Sequence, residues 1–282
     1  MTSRHWPAPA KLNLILHITG QRKDGYHLLQ TVFQFINFSD SLDFTLRDDG
    51  IISRHSDWGG VTEADDLIVR AAKSLQLESG CRQGVDIHMD KKLPAGGGLG
   101  GGSSDAATTL VALNHLWGLE RSADQLADIG LELGADVPVF VRGKAAWAEG
   151  IGEKLTPIDP EEPWYLVIRP DCCVSTMEVF NSSDLTRNTP TIRIRDFLRG
   201  GGHNDCESVV KKLHPEVAEA LDWLGKFADA RMTGTGSCVF AGFDNQQQAK
   251  SAYDKLPQSW AGFVAKGLNH SPLLTRLEQE KN

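Results

Sequence analysis

The chain has 282 residues, 40% hydrophobic and 23% charged, which supplies enough apolar material for a sizeable core and excludes a disordered protein. A formal net charge of −8 excludes a protein whose main task is to coat nucleic acid, because that task needs a basic face. No run approaches membrane-spanning length, and Lys11, Asn13 and His17 interrupt any apolar signal-peptide core, so the expected home is the cytoplasm with neither membrane nor nucleic acid as partner.

In chain order, Leu12, Leu14, Leu16 and Ile18 alternate with polar residues, the period of a strand with one buried face, and Gly20 is expected to end it. After the turn-like GQRKDGYH, the segments TVFQFINF and SLDFTLR read as two further strands separated by Ser39 and Asp40. Asp65 or Asp66 suits the cap of a helix through Leu67, Ala71 and Leu75, and Val85 to Asp90 returns as a strand.

Six of the seven positions from Gly96 to Gly102 are glycine, and a helix pattern through Ala106, Leu110, Leu113 and Trp117 follows at once, with Ser103 or Ser104 expected as N-cap. Lacking Cβ, such a run can press its N–H groups against phosphate oxygens, and the helix N-terminus adds partial positive charge. A flexible linker is the bland alternative, but linkers rarely join a strand to a capped helix.

No Lys-Ser or Lys-Thr pair follows the glycines and no HRD or DFG triplet occurs, which excludes Walker-type and protein-kinase sites. Gly96, Gly98 and Gly101 match GxGxxG. A Rossmann unit would need a strand after the helix, whereas Ser122 to Leu133 reads as a second helix closed by Gly134.

VPVFVRGKAAWAEGIG then reads as strands with turns, and three prolines from Pro157 to Pro163 mark a boundary between units of residues 1–160 and 161–282. Beyond it, strands at WYLVIRP, SCVFAGF and GFVAKG alternate with helical patterns through Val209 and Leu221, an α+β arrangement. Cys81, Cys172, Cys173, Cys206 and Cys238 lack paired spacing and read as reduced thiols. His203 and Cys206 lack the second pair that a four-ligand zinc site needs.

Three segments in order, PAPAKLNL at Pro7 to Leu14, PAGGGLGGGSS at Pro94 to Ser104 and RMTGTGSCVFAGF at Arg231 to Phe243, resemble the three motifs of the GHMP family of small-molecule kinases. The likeness runs from about Trp6 to Pro272 and, with GYH at Gly25 to His27 and LGADVPVF around Asp136, is strongest to members that phosphorylate a cytidylyl-linked methylerythritol in non-mevalonate isoprenoid synthesis.

The resemblance implies a two-domain α+β fold, the first domain like domain 2 of ribosomal protein S5 and the second ferredoxin-like, in a monomer or weak homodimer. It implies ATP and Mg²⁺ as cofactors, with ATP held along Pro94, Ala95, Gly96, Gly97, Gly98, Leu99, Gly100, Gly101, Gly102, Ser103 and Ser104, and Mg²⁺ reached by Ser104. Asp136 would be the general base and Lys11 its electrostatic partner. Asn13, Tyr26, His27, Thr176 and Phe180 would line the acceptor pocket, Tyr26 and Phe180 sandwiching cytosine. By residue type alone Asp136 better suits a turn carboxylate, Lys11 has an edge-strand solubilising lysine as its alternative, and His27 equally suits a surface-turn histidine. The chain reads Asp66-Leu67-Ile68 where relatives carry Asn-Leu-Ile near adenine, and Lys91 and Lys92 read as solvated.

Overall fold

The alternation around Leu12 belongs to one long hairpin in the computed structural model, which describes residues 1–55 and 62–281. Strand β1 (Thr2–Gln21) pairs antiparallel with β2 (His27–Arg47), and register shifts between Ser3 and Trp6, Pro9 and Lys11, Asn13 and Leu16, and Ile18 and Gly20 let so long a ribbon bend. The elements that follow are β3 (Ile52–Arg54), α1 (Leu67–Ser79), β4 (Gly84–Asp90), α2 (Gly101–Leu116), α3 (Ala123–Leu133), α4 (Val137–Arg142), β5 (Ala146–Glu149) and β6 (Lys154–Pro157). The remainder comprises β7 (Trp164–Arg169), α5 (Thr176–Asn181), α6 (Ile194–Phe197), α7 (Glu207–Leu213), α8 (Pro215–Leu224), β8 (Ala230–Met232), β9 (Val239–Phe243), α9 (Gln246–Tyr253), β10 (Ala261–Leu268) and α10 (Pro272–Lys281).

The sheet runs β3-β4-β2-β10-β7-β9-β8, with β1 and β5 also on β2. Strand β2 gives Ser41 to Arg47 to β4, Thr31 to Phe33 to β5, and Phe35 with Ile36 to β10, so one strand joins both halves of the molecule. Its partner β1 crosses three cores and lends Ile15 to a fourth, smaller cluster with Val32 and Trp147. Trp6 and Ala8 enter the first with Leu75, Leu110 and Phe140; Ala10 and Leu12 enter a middle layer with Leu99 and Phe240; Leu16 and Ile18 enter a second with Leu166, Val210 and Met232. Burying each such large apolar side chain contributes about 1.5–3 kcal/mol before entropy is counted.

The two strands expected at TVFQFINF and SLDFTLR are one. Asp40 is buried within β2, where its Oδ1 accepts the N–H groups of Lys92 and Leu93 at 2.6 and 2.7 Å, so an acidic residue that looks like a turn is satisfied inside the sheet. The strand expected at VPVFVR is the helix α4. Pro138 occupies its first turn, Gly143 ends it in the left-handed region, and Val137 to Val141 are all buried, so packing on every side overrides the β preference of valine. Helix α10 returns to pack on β1 and α2, placing Leu273 in the first core.

Helix α2 begins at Gly101, two residues before the expected serine caps. Its N-cap is Gly100, whose positive φ of 72° starts the helix without a side-chain hydrogen bond. Of Asp65 and Asp66 it is Asp66 that caps α1, and Ser122, expected as the start of a helix, is the N-cap of α3. Asp66 accepts the Ile68 N–H at 2.9 Å, and Ser122 with Gln125 makes a capping box.

Candidate active site

Lys11 and Asn13 lie on the face of β1 opposite Ala10 and Leu12, and α2 starts directly beside them. The Lys11 ammonium is buried among oxygens: it donates to Asn13 Oδ1, to the Gly98 carbonyl at 3.1 Å, and meets Asp136 Oδ2 at 3.2 Å. Its own backbone N–H donates to the Leu99 carbonyl at 3.0 Å. Asp136 sits at the N-cap position of α4, yet its carboxylate makes no cap bond, which leaves one third of the side chain exposed toward the cavity. The pair therefore links β1, the glycine loop and the α3–α4 junction at one point.

The glycine loop rests on the TGTGS segment between β8 and β9. Thr233 Oγ1 donates to the Gly98 carbonyl at 3.2 Å and accepts the Asn13 N–H at 2.9 Å, while the Cys238 N–H donates to the Gly97 carbonyl at 3.2 Å. From below, buried Leu99 anchors the loop in the middle core. A Cβ on Gly97 would lie 2.7 Å from Cys238 Sγ, so this glycine is required by close packing.

A cavity of about 680 Å³ opens above these groups. Gly98, Gly100, Ser103, Lys11, Asn13 and Asp136 form one end; Tyr26, His27, Thr176, Met177, Phe180 and Thr235 form the other. A room of that size suits a small metabolite. The structure thus brings Lys11, Asn13, Tyr26, His27, Asp136, Thr176 and Phe180 to one space from four separate stretches of chain. Of the phosphate-loop residues, Gly98, Gly100 and Ser103 line this space, and Leu99 is buried in the middle core. Ser104, expected to reach Mg²⁺, is fully buried with Oγ lacking a hydrogen-bond partner, and it does not line the cavity. Ser103 Oγ and the Asp136 carboxylate, both on the wall beside the glycine loop, are oxygens that suit a hard dication.

At the aromatic end, Phe180 stacks on His27, centroids 4.9 Å apart and planes 21° from parallel, while Tyr26 stands 59% exposed at the turn. The two rings expected to sandwich a base are both on the wall, but His27 covers the Phe180 face that it meets. Burial and then the neighbouring Arg187 guanidinium lower the His27 pKa below its usual 6.5. Thr176 Oγ1 lies 2.8 Å from Thr235 Oγ1, which ties α5 to the TGTGS segment.

Sequence reasoning missed Arg187, Thr31, Thr233 and Thr235. The threonines sit in segments already singled out, whereas Arg187 lies in an irregular stretch with no periodic or motif signal. Lys91 is not solvated: its Nζ meets Asp40 Oδ2 at 2.6 Å and Asp105 Oδ2 at 2.8 Å just under the first turn of α2. Burial and the neighbouring Asp40 push Asp105 up to about 7 against the pull of Lys91. Asp66 is committed to its cap and to an ion pair with Arg54.

The chain matches the GHMP kinase N-terminal domain over residues 66–144 and the GHMP kinase C-terminal domain over residues 189–262. It is 57% identical over 278 residues to the 4-diphosphocytidyl-2-C-methyl-D-erythritol kinase of Shewanella loihica, covering 98% of each chain. The chain belongs to the GHMP kinase family, in its 4-diphosphocytidyl-2-C-methyl-D-erythritol kinase branch.

This GHMP kinase is also 57% identical to the same-named protein of Pseudomonas syringae pv. syringae over 96% of each chain. A crystal structure of 4-(cytidine 5'-diphospho)-2C-methyl-D-erythritol kinase superposes with a TM-score of 0.81 at 30% identity, covering 95% of this chain and 99% of that one. A mevalonate kinase from Methanococcus jannaschii shares the fold, with a TM-score of 0.70 at 17% identity over 95% of this chain and 98% of its own. The expected α+β GHMP kinase fold is therefore the observed one, and the protein is a small-molecule kinase with ATP as phosphate donor. No helix among the described residues is long and apolar enough to cross a membrane.

Proposed function

We propose that this kinase transfers the γ-phosphate of ATP to the 2-hydroxyl of 4-diphosphocytidyl-2-C-methyl-D-erythritol, with Asp136 as general base and Lys11 as its electrostatic partner. The observation that carries this reading is the 3.2 Å Lys11–Asp136 pair at the glycine-loop end of a cavity whose other end is aromatic. An alcohol is a weak nucleophile at neutral pH, and a placed carboxylate that takes its proton as the new P–O bond forms contributes roughly 10²–10⁴-fold. In phosphoryl transfer most of the remaining work is positioning and charge stabilisation. Lys11, anchored by Gly98 and Asn13, holds its charge where the transferred group would pass and keeps the carboxylate aimed into the cavity.

The glycine-loop amides and the N-terminus of α2 are suited to phosphate oxygens. Mg²⁺ commonly binds through one or two protein oxygens plus substrate phosphates, and Ser103 with Asp136 offers such a set. When bound, the ion would neutralise charge between the phosphates. The aromatic end is suited to stacking a base, worth roughly 1–3 kcal/mol.

The test is ADP release with a panel of acceptors at fixed ATP and Mg²⁺: the cytidylyl compound, mevalonate and homoserine. Turnover with the cytidylyl compound alone is the expected result. Turnover with mevalonate or homoserine instead would refute the acceptor while leaving the kinase intact.

A further inference from the structure

Arg187 lies outside every motif and makes no contact at the glycine-loop end, yet four of its N–H donors are in use. Its Nη2 donates to the carbonyls of Phe180 and Ser182, both at 2.8 Å, and its Nη1 to the Leu185 carbonyl at 3.1 Å. Its Nε donates to His27 Nε2 at 3.2 Å. A guanidinium has donors only, so the His27 nitrogen it faces must be the bare one. The proton of a neutral imidazole then resides on Nδ1. The same guanidinium holds the carbonyl of Phe180, whose ring stacks on His27.

We propose that Arg187 is a positioning residue for acceptor selection: by occupying His27 Nε2 and gripping the Phe180 backbone, it fixes His27 as the Nδ1–H tautomer and gives the aromatic end of the cavity one directed donor. This rests on the acceptor reading above. A single N–H donor directed at the N3 position of a pyrimidine is matched only by a base whose ring nitrogen there is bare. Cytosine N3 is bare, whereas uracil carries a proton at N3 that would oppose the His27 Nδ1–H, so the arrangement favours a cytidylyl over a uridylyl acceptor. The planar fork matters. A lysine could reach one of the four acceptors but cannot bridge them together.

The test has two arms on the full-length enzyme. In the first, imidazole ¹⁵N NMR at pH 8 with selectively labelled histidine, assigned by the loss of signals in His27→Phe, reads the tautomer without any substrate. The expected result is His27 with Nδ1 protonated and Nε2 bare in the wild type, and a mixture of tautomers in Arg187→Ala. In the second, kinetics compare the cytidylyl acceptor with its uridylyl analogue. Arg187→Ala should raise KM for the cytidylyl acceptor about tenfold with kcat within about threefold, and should lower the cytidylyl preference by a similar factor. Tenfold corresponds to about 1.4 kcal/mol, the scale of one hydrogen bond. Arg187→Lys should lie between the two, and His27→Phe, which keeps the stack but has no N–H, should lose the preference even if Arg187→Ala folds poorly.

An Nε2–H His27 in the wild type, or unchanged tautomer and preference in Arg187→Ala, overturns the proposal. Absence of wild-type turnover with the cytidylyl acceptor would sink the acceptor reading alone, because the NMR arm still decides the role of Arg187.

Discussion

A Cβ placed on Gly98 would lie 2.3 Å from the Thr233 carbonyl oxygen, so the glycine loop and the TGTGS segment meet backbone to backbone. Gly98 also has φ of 72°, a region that side chains disfavour. Gly98→Ala should therefore push the loop off Thr233, remove the Thr233 bond to the Gly98 carbonyl and shift the Lys11 acceptor. The expected outcome is at least a tenfold loss of kcat/KM for ATP and a stability loss of about 1–3 kcal/mol, measured by steady-state kinetics and chemical denaturation. Wild-type ATP kinetics in the variant would show that this contact does not shape the nucleotide site.

Asp136→Asn keeps the shape of the side chain and removes the proton acceptor. We expect kcat to fall roughly 10²–10⁴-fold while the Kd of ATP changes little, as read by single-turnover assays alongside calorimetric titration. Lys11→Met should also lower kcat and, in addition, destabilise the fold, because it leaves Asn13 Oδ1 without its buried donor and the Gly98 carbonyl with Thr233 Oγ1 alone. Retention of full turnover by Asp136→Asn would remove it as the base.

The cluster of Asp40, Lys91 and Asp105 carries two acids and one base beneath the first turn of α2. Asp105 titrates near 7 in the folded protein against an ordinary 3.8, so between these values the native state binds more protons than the unfolded chain. Its contribution to stability must then decline as pH rises from about 4 to 7. Asp105→Asn should flatten that part of the Tm profile and gain on the wild type above pH 7, by about 2–4 °C per kcal/mol. Parallel profiles for the two proteins would rule Asp105 out as the source.

His27 behaves in the opposite sense. Its pKa is lowered below 6.5 in the fold, so the interactions of neutral His27 persist above that value and are lost as pH falls through the folded pKa. Protonation would set an Nε2–H against the Arg187 donor. KM for the acceptor should rise in the wild type as pH falls through the lowered His27 pKa and remain level in His27→Phe, with kcat followed separately. An acid-independent KM in the wild type would count against neutral His27 as an acceptor contact.

Local chemistry determined what could be read directly from the residues: the glycine run that opens α2, the start of α1 at Asp65 or Asp66, the helix from Ser122 with its stop at Gly134, and the three ordered motifs that mark the family. These signals act over a few residues of backbone, so they survive in the bare sequence. Tertiary structure decided the rest. Val137 to Val141 fit a strand as well as a helix until burial on all sides selected α4, and Asp40 resembled a turn until the Lys92 and Leu93 amides met it inside β2. Lys11 needed Asp136 from a distant helix start, and Arg187 needed His27 from the first hairpin, to become more than ordinary basic residues. A charge or hydrogen bond takes its meaning from the partner across space, and only packing of the hairpin, the glycine loop and the second core brings those partners within reach.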